Sequence, residues 1–110
     1  MLGNEFAGEV IAIGGDVKRF RVGDRVFARV AKDRAGAFAE QACVDEDDAA
    51  HMPRDLDFMA AAAVPLAALT ALQALRDELG VKPGQKVFIS GGAGGVGTFA
   101  IRSPNGSAHM

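Results

Sequence analysis

Residues 91–97, Gly91-Gly92-Ala93-Gly94-Gly95-Val96-Gly97, concentrate the residue types in this chain that could do chemistry. Gly92, Gly94 and Gly97 satisfy the spacing Gly-x-Gly-x-x-Gly, and apolar residues flank the run on both sides. Between a strand and a helix, this pattern binds phosphate through the backbone. Gly92 permits a tight turn, Gly94 lets peptide N–H groups approach a pyrophosphate, and Gly97 lets the helix pack closely on what precedes it. The expected contacts are the N–H groups of Gly94, Gly95, Val96 and Gly97, at the positive end of the helix dipole. The same residues also read as a plain glycine-rich connector. A mononucleotide P-loop does not fit, because Thr98 stands where that motif needs lysine.

The remaining reactive side chains are isolated. Cys43 has no second thiol for a disulfide or a zinc pair, which suits a reducing, cytoplasmic setting, and it reads as a small buried filler on a strand face. His51 lies in a loop-like stretch with no nucleophile or carboxylate set beside it, so an exposed loop histidine is expected. Asp45-Glu46-Asp47-Asp48 reads as a solvated turn, since its oxygens lack a calcium-loop spacing. No catalytic residue and no metal ligand is assigned.

Composition narrows the partners. Lys and Arg total 12 against 14 Asp and Glu, a net charge of -2, with no basic excess to meet a polymer of phosphates. Nucleic acid is therefore not an expected partner. The longest apolar region, residues 59–75, contains Pro65, Thr70 and Gln73 and reads as buried helix, so no membrane partner is expected either. With 49% hydrophobic and 24% charged residues, the chain has the balance of an ordinary globular domain.

The elements that must carry the glycine run follow from pattern. Residues 5–13 read as a strand ending at Gly14-Gly15-Asp16, residues 25–30 as a second strand after the turn at Arg21-Val22-Gly23-Asp24, and residues 38–44 as a third. Short strands divided by glycine turns predict a small barrel or sandwich. Asp57 is placed to cap a short helix over residues 58–63, and Pro65 to open the next. Leu66, Leu69, Leu72, Leu75 and Leu79 recur at spacings of three and four, which predicts a leucine face, and Gly80 is placed to end that helix. Pro83-Gly84 predicts a type II turn leading into a buried strand at residues 86–90. Residues 98–101 then open a helix, and residues 103–110 have the composition of an appended tail.

Five successive landmarks resemble the quinone-oxidoreductase-like, zinc-independent branch of the medium-chain dehydrogenases. They are Gly3-Asn4-Glu5-Phe6-Ala7-Gly8-Glu9-Val10, Val22-Gly23-Asp24-Arg25-Val26, Gly36-Ala37-Phe38-Ala39-Glu40, Ala63-Val64-Pro65-Leu66 with Thr70-Ala71, and residues 84–97. The match runs from Leu2 to Ile101. The resemblance implies an α+β fold: a partial GroES-like β-barrel over residues 2–56, connecting helices over 57–80, and over 81–102 the first strand, glycine turn and helix start of a Rossmann unit. It implies a parent that uses NADPH to reduce quinones or activated alkenes. Thr70 would lie near the nicotinamide beside Gly92, Gly94, Gly95, Val96 and Gly97, and Asn4 near the substrate pocket. The zinc-dependent branch carries a metal-binding histidine where Asn4 stands, and a four-cysteine lobe absent here.

Residues 98–110 contain no Asp or Glu to read a ribose hydroxyl. The resemblance therefore implies a fragment that keeps part of a dinucleotide site, binds no cofactor firmly and is inactive alone. A second reading is a non-enzymatic, self-associating module, most simply a dimer, whose exposed edges are covered by another copy.

Overall fold

The computed structural model describes residues 2–34 and 36–103. They form an α+β fold in two compact units, one ending at Leu66 and one beginning at Ala67.

The first unit is built on a three-stranded antiparallel sheet, β1 (Glu5–Glu9), β2 (Arg25–Arg29) and β3 (Ala49–His51), in that order. β1 pairs with β2 from Glu5 opposite Arg29 to Glu9 opposite Arg25, and Val26, Phe27 and Ala28 face His51, Ala50 and Ala49 across the second ladder. Strand alternation sends Val26 and Ala28 inward, where they meet Phe20 and Ala49, with Phe6, Val10, Val17 and Val44 packed around them. Gly23, at φ +96°, makes the turn into β2, and the Asp24 carboxylate accepts from the Arg21 N–H at 2.8 Å. A 3-10 turn at Glu46–Asp48 precedes β3.

α1 (Phe58–Ala62) begins where expected, with the Asp57 carboxylate accepting from Ala60 N–H at 2.7 Å. It lies against β1 and β2, and the Arg25 guanidinium sits 4.7 Å from the centre of the Phe58 ring. α2 (Pro65–Leu72) opens on proline, as its sequence predicts, and continues into a π-helical turn, Gln73–Glu78. Gly80 follows at φ +59°.

Several local expectations are corrected. The first strand stops at Glu9; Val10 still exchanges backbone bonds with Gly23 and Asp24, and residues 11–13 run on without a ladder. Residues 38–44 are not a strand, and Phe38 is 76% exposed. The third strand is Ala49–His51, so His51 belongs to a strand end; it is exposed, with Nε2 at 3.3 Å from Arg19 O. Cys43 is exposed because its segment has no strand beside it. The buried stripe along α2 and its extension is Ala68, Ala71 and Leu75, while Leu69 is 39% and Leu79 70% exposed. Small side chains there let backbones approach, and the leucines mostly flank that contact.

In the second unit Ala71, Leu75 and Ala100 form the core, with Val81, Val87, Ile89 and Phe99 against it. Gly84, at φ +84°, makes the predicted turn after Pro83. Residues 86–90 form no ladder among the described residues, and Ser90 already belongs to the turn that follows, which corrects the expected buried strand. α3 (Gly95–Arg102) starts three residues earlier than its sequence suggests. Ser103 ends it, its hydroxyl donating to Phe99 O at 3.1 Å; the rest of the tail-like stretch, 104–110, lies outside the described residues.

Candidate functional site

The glycine run is a tight turn clamped onto the start of α3. Gly91 takes φ +72°, so the left-handed residue is Gly91 and not Gly92. Gly94 N–H donates to Gly91 O at 3.0 Å, and the chain then enters the helix with Gly94 as N-cap. Thr98 donates to Gly94 O twice, from its N–H at 2.9 Å and its hydroxyl at 2.8 Å.

Backbone contact holds Gly97 to glycine, whereas Gly92 most closely faces the flexible end of a side chain. A Cβ on Gly97 would lie 2.2 Å from Gly91 O and 2.7 Å from Gly92 Cα. A Cβ on Gly92 would lie 2.7 Å from Ile101 Cδ1. Gly97 thus performs the close-packing role that its position suggests, against the turn itself. By contrast, a Cβ on Gly95 would meet nothing within 4 Å.

The helix start leaves donors open. Gly94 supplies no side-chain cap, and the first bond back to it comes from Thr98. The N–H groups of Gly95, Val96 and Gly97 therefore have no protein acceptor among the described residues. Gly94, Gly95 and Val96 are exposed to solvent, whereas Gly97 is buried. A short stretch of N–H groups at the positive end of a helix dipole is suited to an anion.

The other predicted site residues are more scattered. Thr70 is exposed on α2, next to Ala71, which packs with Ala100 of α3. Asn4 is exposed, and its carbonyl accepts from Val30 N–H at 2.8 Å. Among the described residues, no group of three or more His, Cys, Asp and Glu side chains is placed to hold a metal ion. None of their helices is long and apolar enough to cross a membrane.

Two polar arrangements escaped the sequence reading because their partners are remote. Glu5 Oε2 accepts from Leu66 N–H at 2.7 Å, across 61 positions. Glu46 Oε2 accepts from the N–H groups of Lys18 and Arg19 at 3.1 and 3.0 Å, while Arg19 Nη1 returns a bond to Glu46 O. The Arg19 and Lys18 N–H bonds hold the Glu46 carboxyl below its ordinary value. The acidic turn is therefore a fastening between 18–19 and 46, and more than a solvated loop.

Residues 1–54 match the family described as Alcohol dehydrogenase GroES-like domain. Over 101 residues the chain is 43% identical to a quinone oxidoreductase of Pseudomonas aeruginosa, covering 92% of this chain and 30% of that protein. It is 38% identical over 106 residues to the mitochondrial NAD(P)H oxidoreductase RTN4IP1 of Danio rerio, covering 93% of this chain and 27% of the relative. Its structure is similar to that of an alcohol dehydrogenase superfamily protein from Novosphingobium aromaticivorans, with a TM-score of 0.91 and 40% identity over 94% of this chain and 32% of the other. The chain thus spans under a third of the length of these proteins.

Proposed function

Because the chain belongs to the quinone-oxidoreductase-like medium-chain dehydrogenases, we propose that residues 91–97 and the first turn of α3 form the pyrophosphate-holding part of a nicotinamide dinucleotide site. The whole protein's reaction, on this reading, is NADPH-dependent reduction of a quinone or activated alkene in the cytoplasm. The observation that carries the reading is the set of N–H groups at Gly95, Val96 and Gly97, open at the start of a helix whose N-cap, Gly94, has no side chain to fill the space.

The dinucleotide, when bound, supplies a hydride. The chain's own residues bind and orient: the open N–H groups meet phosphate oxygens, and Gly92 and Gly97 keep the turn close against α3 so that those groups converge. Thr70 contributes at the nicotinamide end, a role that rests on the resemblance. Asn4 replaces the metal-binding histidine of the zinc branch, and we read the reaction as zinc-independent.

For this chain alone we expect weak, phosphate-driven binding and no turnover, since residues 98–110 offer no carboxylate to read the ribose. Calorimetry with NADPH, repeated in inorganic phosphate, tests the site. The expected outcome is affinity no better than roughly millimolar, competed by phosphate. Micromolar affinity indifferent to phosphate, or quinone reduction that disappears in Gly94→Val, would overturn the reading of this chain as a partial site. Absence of any anion binding would remove the site itself.

A further inference from the structure

The peptide unit between Gly94 and Gly95 carries the Gly95 N–H, the first donor of α3, on one side and the Gly94 carbonyl on the other. A peptide unit is planar and trans, so the direction of its carbonyl fixes the opposite direction of its N–H. Glycine stands on both sides of this one. A Cβ at Gly95 would meet nothing within 4 Å, and a Cβ at Gly94 would meet only Gly91 O, at 3.3 Å. With neither Cβ present, little steric resistance opposes a rotation of the peptide that exchanges its N–H and its C=O. Such a rotation would aim a carbonyl oxygen at the place where an anion is to sit.

One side chain acts on this peptide. The Thr98 hydroxyl donates to Gly94 O at 2.8 Å, and the Thr98 N–H donates to the same oxygen at 2.9 Å. The N–H bond is the one that any α-helix makes back to its N-cap carbonyl. The hydroxyl bond is additional, and it needs Ser or Thr at this position. On the other side of the same residue, the Gly94 N–H donates to Gly91 O at 3.0 Å. Gly94 is thus tied to the turn through its nitrogen and to α3 through its carbonyl.

The geometry points to Thr98 as a positioning residue of the anion site. Its hydroxyl holds the Gly94–Gly95 peptide in the orientation that turns the Gly95 N–H toward a phosphate oxygen. The role presupposes that residues 91–97 hold pyrophosphate, as proposed above. Thr98 itself does not touch the anion: its proton is given to Gly94 O, and the lone pairs that remain would repel phosphate oxygens. To donate directly, the hydroxyl would have to release the carbonyl and free the peptide it holds. A helix-stabilising role is a poor account of the same bond, because a hydroxyl bonded back to the carbonyl four residues earlier slightly destabilises helices in general.

Titration of the full chain with inorganic pyrophosphate, followed through the amide magnetic-resonance signals of Gly95, Val96 and Gly97, tests this role. Thr98→Val keeps the branched shape and the backbone bond but removes the hydroxyl, and should weaken binding about three- to tenfold. Thr98→Ser restores the hydroxyl and should restore the affinity. Thr98→Ala removes the hydroxyl with a better helix former, so a loss of binding there does not come from a frayed helix. In the hydroxyl-less variants, relaxation of the free chain should show new motion at the Gly95 amide, while the amides from Phe99 onward keep their order.

Equal affinity in the wild type, Thr98→Val and Thr98→Ala overturns the role of Thr98 and leaves the pyrophosphate site standing. Weakened binding with a Gly95 amide as ordered as in the wild type overturns it as well, and makes the hydroxyl a direct ligand. If pyrophosphate shifts none of these amides in the wild type, the site falls and the role of Thr98 falls with it.

Discussion

The Glu5 carboxylate on β1 accepts a 2.7 Å hydrogen bond from the Leu66 N–H in the first turn of α2. Leu66 follows Pro65, which has no N–H of its own, so Glu5 meets an early open donor of the helix and places a negative charge at its positive end. Removal should therefore loosen the helix entry as well as a single bond. Glu5→Ala is expected to cost about 1 kcal/mol, and Glu5→Gln, which keeps an oxygen acceptor but not the charge, about half of that. Urea unfolding followed by circular dichroism measures both. Equal losses for the two variants would mean that charge alone matters.

That contact marks the boundary of what the sequence could disclose. Signals within a few residues were legible: the Asp57 cap, Pro65 at a helix start, and glycines 23, 80 and 84 at positive φ. Pairing between distant segments was not. Residues 38–44 alternate like a strand, yet a strand exists only where a neighbour supplies the ladder, and Ala49–His51 takes that place although its three residues show no periodicity. The leucine spacing on α2 was visible, but Ala68, Ala71 and Leu75 are the residues buried, because close approach between backbones favours small side chains. In the glycine run the motif pointed to the anion-binding geometry, while the assignment of left-handed backbone to Gly91 depends on how the turn folds back on itself.

Gly3 should tolerate no side chain. It sits at φ +95°, and a Cβ there would lie 2.7 Å from Phe38 Cδ1 and 2.8 Å from Phe38 N. Its carbonyl also accepts from Ala37 N–H at 2.9 Å, so the backbone cannot move away without losing that bond. Strain and overpacking act together, and Gly3→Ala should destabilise the first unit by about 2 kcal/mol or more. Thermal unfolding gives the value; a change below half of that would mean that the 37–38 segment shifts freely.

Stability should fall on the acid side partly through Glu46. Bonds from the Arg19 and Lys18 N–H groups lower its pKa from 4.5. A group whose folded pKa lies below its unfolded one stabilises fully above the unfolded value and loses that contribution as pH falls through the folded value. The window therefore lies below about pH 4.5. Glu46→Gln should flatten this part of the profile of unfolding midpoint against pH. Asp77, lowered by Arg76 beside it, should contribute little, because neighbours in sequence meet in the unfolded chain as well. An acid limb unchanged in Glu46→Gln but lost in Asp77→Asn would reverse this assignment.

The glycine run offers the sharpest contrast, since Gly95 and Gly97 share one helical turn but have opposite surroundings. Alanine at position 95 meets open space and reduces the freedom of the unfolded chain, so Gly95→Ala should be neutral or stabilising by up to about 1 kcal/mol. Alanine at position 97 would drive its methyl to 2.2 Å from Gly91 O. Both the turn and the helix would have to separate, with an expected loss of about 2–3 kcal/mol in the second unit. Hydrogen exchange of the α3 amides distinguishes local loosening from global unfolding: in Gly97→Ala the amides from Thr98 onward should exchange faster, whereas in Gly95→Ala they should not. Equal protection in the two variants would mean that the close approach of α3 to Gly91 does not hold the turn in place.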